Sequence, residues 1–154
     1  MDRGEKIQVL FLCVGNSARS QMAEGWARAL RPDLEAASAG AFPVGLDPRA
    51  VRVMAEAGVD ISSQRSKHFD EFRGRRFDQV VSLCSADVCP VWPGAGRQIR
   101  HEFDDPVTLS SQAATGEEAL RHFRRVRDQL RDFILALPAA PEARPTILQT
   151  GGKP

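Results

Sequence analysis

An almost continuous apolar run, Ile7-Gln8-Val9-Leu10-Phe11-Leu12, leads without a spacer into Cys13-Val14-Gly15-Asn16-Ser17-Ala18-Arg19-Ser20, and that stretch leads into a helical pattern from Gln21 to Leu30. A short run that is apolar at nearly every position suits a strand covered on both faces. A strand that turns into a helix so abruptly gathers the N–H groups of the turn and of the helix N-terminus around one point, where the helix dipole adds positive potential. The turn is therefore read as an anion cradle, with Val14, Gly15, Asn16, Ser17, Ala18, Arg19 and Ser20 as its oxyanion-binding residues. Arg19 contributes a fork that matches a tetrahedral oxyanion. Cys13 sits at the floor, where the field that holds an anion also stabilises a thiolate. The plain alternative is an ordinary strand–turn–helix around an inert buried cysteine.

The totals narrow the class. The 154 residues suit one domain with a real core, and a net charge of +1 points neither to nucleic acid nor to a polybasic membrane surface. No apolar run approaches membrane-spanning length. Residues 1–6 lead straight into the first strand without the pattern of a signal peptide, so the chain is expected to be cytoplasmic. Three cysteines are too few, and too odd in number, for a secreted disulfide framework. Residues 1–137 are expected to form the single domain, and 138–154, rich in Pro, Ala and Gly, a flexible tail.

Along the chain, Arg31-Pro32 ends the first helix, and Glu35 to Gly40 reads as a weak second strand. Asp47 caps a helix that Pro48 opens and Gly58 stops, with Val51, Met54 and Ala55 on one face. Phe77 to Leu83 reads as the third strand, residues 85–93 as a loop or helical turn, and Ile99 to Phe103 as a short fourth strand. Thr115 and Glu118 form a capping box ahead of a stripe of Leu120, Phe123, Val126, Leu130, Phe133 and Leu137. The arginines between them, balanced by Asp128 and Asp132, read as a wet face. This order indicates an open α/β sheet with helices on both faces. Ligands bind at the C-terminal ends of such strands, which places Cys13, Cys84 and Asp104-Asp105-Pro106 along one edge. Cys84 and Cys89 are either small core residues, half of a metal site, or a redox pair. Five positions on a regular helix span about 8–9 Å, beyond disulfide reach, so a bond between them needs a loop or local unwinding. His68, His101 and His122 have no metal-ligand spacing and read as surface or packing residues, as does Trp26; Trp92 lies where it can shield the Cys89 loop.

Cys13-x5-Arg19-Ser20 after a first strand resembles the signature of the low-molecular-weight tyrosine phosphatase superfamily, and Ser20-Gln21-Met22-Ala23-Glu24-Gly25-Trp26-Ala27 looks like its thioredoxin-coupled arsenate reductases. The resemblance covers about residues 6–137. It implies a four-stranded parallel sheet of the flavodoxin-like kind and a monomeric enzyme of arsenic detoxification with no metal and no bound cofactor. It implies Cys13 as nucleophile, Arg19 as anion ligand, and Asp105, the aspartate directly before proline, as the acid. Cys84 and Cys89 then complete a thiol/disulfide relay recycled by thioredoxin, with phosphate and sulfate as competing oxyanions. Asn16, Ser20, Glu24, Ser38 and Lys67 support the loop. Some reductases of this kind hold a potassium ion near the loop; the aspartate of that site aligns with Lys67, whose ammonium is expected to take the ion's place and bond Asn16 or Glu24. The chain departs from the phosphatases in carrying Gln21 where they have proline, and Val107-Thr108 where they have a tyrosine after Pro106. It departs from the reductases in leaving only four residues between Cys84 and Cys89. The rival readings are a tyrosine phosphatase and a non-catalytic oxyanion-binding or redox-sensing module. Glutaredoxin or a small thiol are the rival reductants.

Overall fold

The computed structural model describes residues 6–85, 92–139 and 147–149. The elements are β1 (Ile7–Cys13), α1 (Arg19–Leu30), β2 (Leu34–Gly40), α2 (Pro48–Glu56), a 3-10 helix (Phe69–Phe72), β3 (Phe77–Ser82), β4 (Ala95–Arg100), α3 (Pro106–Ser110), α4 (Gly116–Leu135) and β5 (Ile147–Gln149). The sheet is parallel, with order β2-β1-β3-β4-β5. The expected four strands are present. The short fifth strand comes from the segment expected to be tail, and pairs Ile147 with Gln98 on the outer side of β4.

β1 lies between β2 and β3, which explains its continuous apolar sequence. Val9 and Phe11 face a core shared with Met22 and Trp26 of α1, Val53 and Met54 of α2, and Phe123, Val126 and Leu130 of α4. Leu10 and Leu12 face the other way, into a smaller cluster with Phe77, Val80, Cys84 and Trp92, closed by Phe69 and Phe72 of the 3-10 helix. The chain reverses strand order at β1, between β2 and β3, and ligand crevices form at such a switch point. No helix is long and apolar enough to cross a membrane among the described residues.

The caps work largely as the sequence implied. Asp47 accepts from the Arg49 N–H and Pro48 opens α2. Thr115 Oγ1 accepts from the Glu118 N–H, but the Glu118 carboxylate returns to the Ala114 N–H, one residue further back than a standard box. Two boundaries differ. β4 begins four residues earlier than read, because Gly94, at φ +89°, makes the turn and Gly96 is squeezed against β3, where a Cβ would lie 3.0 Å from Asp78 O. After Arg100 the chain leaves the regular ladder but still donates from His101 N to Ser82 O and from Phe103 N to Leu83 O. Asp105-Pro106, read as a turn, opens α3, with Asp105 accepting from the Val107 N–H.

Candidate active site

Residues 14–18 connect β1 to α1 as a loop whose carbonyls are held from outside. Val14 O accepts from Phe42 N, Gly15 O from Val44 N and Ser17 O from Asp47 N, at 2.9, 3.1 and 3.0 Å. Asn16 O accepts from Gln21 Nε2 at 3.0 Å. Turning the carbonyls outward turns the intervening N–H groups inward, and Ala18, the N-cap of α1, offers no side-chain cap, so the first N–H groups of the helix stay available to a ligand. Asn16 has φ 47°, the one left-handed non-glycine residue among those described, a conformation asparagine tolerates better than most. Gly40, opposite Cys13 in β2, lets the loop fold down. A Cβ there would meet Val14 O at 2.6 Å, Cys13 O at 2.8 Å and Asn16 N at 2.9 Å.

Cys13 is a buried free thiol whose Sγ lies 2.9 Å from Ser20 Oγ. Asn16 Nδ2 donates to Ser20 Oγ at 2.7 Å and to Ser38 Oγ at 3.0 Å, and Ser38 donates to Glu24 Oε1 at 2.6 Å. The structure thus joins Asn16, Ser20, Glu24 and Ser38 in one network beneath the loop. Lys67 meets it differently from expectation. Its backbone N–H donates to Asn16 Oδ1 at 2.9 Å, whereas its ammonium donates to Arg65 O at 2.7 Å. Burial pushes the Lys67 ammonium below the usual lysine range, and the Glu24 carboxylate opposes that shift.

Arg19 is buried, donating through Nη1 to Phe103 O at 3.1 Å and Leu83 O at 3.4 Å. Its Nη2 lies 3.5 Å from Asp105 Oδ2. Asp104 instead pairs with Arg125 on the exposed face of α4, at 3.2 Å. Of the two aspartates, then, Asp105 is the one beside Arg19, partly exposed and fixed as the cap of α3. An arginine braced by strand-end carbonyls next to a cap carboxylate gives the cradle a fixed positive group and an acid at its edge.

Cys84 lies just past the end of β3. The bond Leu83 N to Leu12 O, 2.9 Å, ties the residues before Cys84 and Cys13 together. Strand spacing and rise put the two Cα atoms about 6 Å apart, inside disulfide range. The Cys84 side chain packs in the cluster with Leu12 and Trp92, on the face away from α1, and it is disulfide-bonded. Cys89, its expected partner, lies outside the described residues. Trp26 packs between α1 and α4 and donates to Arg127 O at 2.9 Å; Trp92 is buried and donates to Arg75 O at 3.2 Å. His68 Nδ1 accepts from the Asp70 N–H, and His101 is stacked on Phe103 with ring centroids 4.4 Å apart. Among the described residues no group of three or more His, Cys, Asp or Glu is placed to hold a metal ion.

A cavity of about 740 Å³ opens elsewhere, between the end of β4 and α4, lined by Ile99, His101, Phe103 and Phe133 among others. It contains none of the cradle residues, and no cysteine, serine or threonine lines it, so the chemistry is assigned to the loop. Two groups that the sequence reading did not place in the site are Gln21 and Gln64. Both buttress the loop, Gln21 through Asn16 and Gln64 through Gln21. The signal available for Gln21 was its place directly after Ser20, where the related phosphatases carry proline.

Comparison with known proteins agrees with this geometry. An arsenate reductase of Halalkalibacterium halodurans is 44% identical over 125 residues, 79% of this chain and 88% of the relative. A solved arsenate reductase in a phosphate binding state superposes with a TM-score of 0.72 at 33% identity, covering 84% of this chain and 94% of the other. A thioredoxin-dependent arsenate reductase of Corynebacterium glutamicum superposes with a TM-score of 0.58 at 27% identity, covering 87% and 64%. The family model for low molecular weight phosphotyrosine protein phosphatases matches residues 8–140, and with the strand–loop–helix cradle it covers, the chain belongs to that family.

Proposed function

We infer that this chain is an arsenate reductase that converts arsenate to arsenite and is recycled by thioredoxin in the cytoplasm. One observation carries the reading. The free Cys13 thiol lies in an oxyanion cradle at the end of β1, and a second, disulfide-bonded cysteine follows the adjoining strand. A phosphatase has no use for that second sulfur; a two-electron reduction needs it. The likeness to relatives named arsenate reductase supports the same choice.

The steps balance as follows. Arsenate sits on the inward N–H groups of the loop and on Arg19. The Cys13 thiolate attacks arsenic, and one arsenic oxygen leaves as water with a proton from Asp105. The Cys84 thiolate then attacks Cys13 Sγ. The S–S bond forms, the S–As bond breaks, and its electron pair stays on arsenic, which departs as arsenite. Cys89 attacks Cys84 and releases the Cys13 thiolate. A dithiol of thioredoxin reduces the remaining disulfide and takes up the two oxidising equivalents. A free Cys13 beside a disulfide-bonded Cys84 is the form that awaits that reductant.

Arsenate-dependent NADPH oxidation with thioredoxin and thioredoxin reductase tests the activity; its absence refutes the reading. In a single turnover, Cys89→Ser should release one arsenite per enzyme and stall as a Cys13–Cys84 disulfide, identified by peptide mass spectrometry. Sustained turnover by Cys89→Ser would exclude the three-cysteine relay while leaving the reductase activity standing.

A further inference from the structure

A chain of amides runs from the surface of the 61–65 segment to the floor of the cradle. Gln21, wholly buried in the first turn of α1, donates through Nε2 to Asn16 O, Asn16 Oδ1 and Arg65 O, each at 3.0 Å. Its Oε1 accepts from Gln64 Nε2 at 2.8 Å, and Gln64 Nε2 also donates to Gln21 O at 2.9 Å. The orientation of an amide is otherwise ambiguous between O and N. Here each is fixed by a backbone group whose role is unambiguous. Asn16 O and Arg65 O only accept, so the Gln21 atom facing them is Nε2. The Gln21 carbonyl only accepts, so the Gln64 atom facing it is also nitrogen. The Lys67 N–H only donates, so the Asn16 atom facing it is Oδ1.

These orientations leave the Ser20 proton available to the sulfur. With Oδ1 committed to Lys67 N–H and Gln21 Nε2, Asn16 presents Nδ2 to Ser20 Oγ. Ser20 Oγ accepts there, and its own proton is left for Cys13 Sγ at 2.9 Å. The amide polarity runs one way, Gln64 to Gln21 to Asn16 to Ser20, and is the one that lets the Ser20 hydroxyl donate to the Cys13 thiolate. A donor stabilises a thiolate, whereas a reversed amide would ask the sulfur to donate and favour the neutral thiol.

We propose that Gln21 is a positioning residue for the Cys13 nucleophile: backed by Gln64, it holds Asn16 in its left-handed turn and aims the Ser20 hydroxyl proton at the sulfur. It touches neither substrate nor sulfur, and it acts through Asn16. The proposal rests on Cys13 being the reactive thiol, but not on arsenate being the substrate. It also gives the Gln21 position a task that the proline of the related phosphatases has no side-chain amide to perform.

The test is the alkylation of Cys13 by iodoacetamide across pH, read by mass spectrometry on the oxidised protein, in which Cys84 is bonded. Gln21→Met keeps side-chain length and burial but removes the amide. Its alkylation rate near pH 6.5 should fall about tenfold, the worth of one hydrogen bond to a charged group. The difference should close above about pH 9, where an ordinary thiol ionises unaided. Gln64→Met, at a half-exposed position, should give a smaller loss of the same pH form. A merely structural role would lower the melting temperature and leave the pH profile where it was. Coincident profiles for wild type and folded Gln21→Met overturn the proposal. If Gln21→Met does not fold, Gln64→Met decides it, and an unchanged profile there overturns it too. Neither result depends on arsenite formation, so failure of the positioning role and failure of the reductase reading are told apart.

Discussion

Gly40→Ala is expected to disable the site from the neighbouring strand without touching a reacting group. The new Cβ would stand 2.6 Å from Val14 O, 2.8 Å from Cys13 O and 2.9 Å from Asn16 N. All three are backbone atoms, so no rotamer change relieves them. Restoring an ordinary contact of 3.4 Å at the tightest point moves the loop or β2 by about 0.8 Å. Overpacking of this size costs about 1–3 kcal/mol, and at this chain length each kcal/mol lowers the melting temperature by about 3 °C. The effect on turnover should be larger. A displacement near 1 Å at a reacting group costs about 100-fold in rate, and here the atoms displaced belong to the nucleophile's own residue and to the loop that binds the anion.

The comparison that makes this specific is Gly25→Ala, in the middle of α1. Its Cβ would meet Ile61 Cγ2 at 2.5 Å, a methyl on the stiff β-branched carbon of a fully buried residue, and Met54 Cε at 3.3 Å, so the clash falls on core side chains and not on the loop backbone. Removing a helical glycine returns about 1 kcal/mol against an overpacking cost of about 3 kcal/mol, so that variant should lose about 2 kcal/mol net, as much stability as Gly40→Ala, and yet keep most of its turnover. Arsenite release in the thioredoxin-coupled assay, phosphate competition and thermal unfolding measured on both variants decide the matter. If Gly40→Ala keeps half of wild-type turnover, or if the two variants lose activity in step with stability, the claim that the loop rests on Gly40 is wrong.

Asp105→Asn keeps the α3 cap, since asparagine caps as well as aspartate, but removes the acid, so hydrolysis of a small aryl phosphate at the same cradle should fall about 100-fold with an unchanged melting temperature; an unaffected rate would assign the proton to another group. Burial pushes the His101 imidazole below the usual histidine range. The unfolded chain therefore binds the proton more readily, and stability should fall as pH drops through about 6.5 and level off below the folded value. His101→Phe should flatten that part of a urea midpoint against pH curve, and a slope that persists would place the titration elsewhere. With the Lys67 ammonium tethered to Arg65 O beside the network of Asn16 and Glu24, turnover should be equal in potassium and sodium salts at matched ionic strength, and Lys67→Asp should introduce a potassium preference. Strong potassium activation of the unmodified protein would contradict that role.

What could be read from sequence was what local chemistry states outright. β1 announces itself by being apolar on both faces, and α2 and α4 by Asp47-Pro48 and by Thr115 with Glu118 ahead of periodic stripes. β4 began earlier than read because Ala95 and Gly96 carry no β signal; the bare Cα of Gly96 is a demand of the Asp78 backbone, which lies eighteen positions upstream and is visible only once the strands are paired. α3 opens with the same Asp-Pro pair as α2, but it is only five residues long and shows no periodicity. β5 has just Ile147 and Leu148 to mark it. In the candidate site, Cys13, Arg19 and Asp105 could be picked out because each is a residue type whose chemistry suits the role proposed for it. The pairing of Gln21 with Gln64 was not, because two neutral amides 43 positions apart have no sequence pattern that joins them.

A thiol relay needs one sulfur that stays and one that travels, and the backbone divides the roles. Cys13 is the last residue of the strand next to the switch point, paired with Gly40 on one side, with Leu12 just before it bonded to Leu83 on the other, and its sulfur is held by Ser20. It cannot swing without breaking the loop that binds the anion. Cys84 lies beyond the last regular residue of β3, with its side chain on the opposite face of the sheet. The backbones are close enough to bridge, but the side chains are not aimed at each other, so the Cys84 end must rotate to reach Cys13. Cys84 therefore lies just beyond Leu83, the last residue of this stretch bonded to Leu12 O and Phe103 N. With only four residues before Cys89, any bond between those two also needs a non-helical segment there. On the proposed relay, a rigid cradle suits an arsenic that is held still while its bond to oxygen breaks. On the same proposal, a strand that ends at Ser82, before Cys84, suits a second sulfur that has to travel.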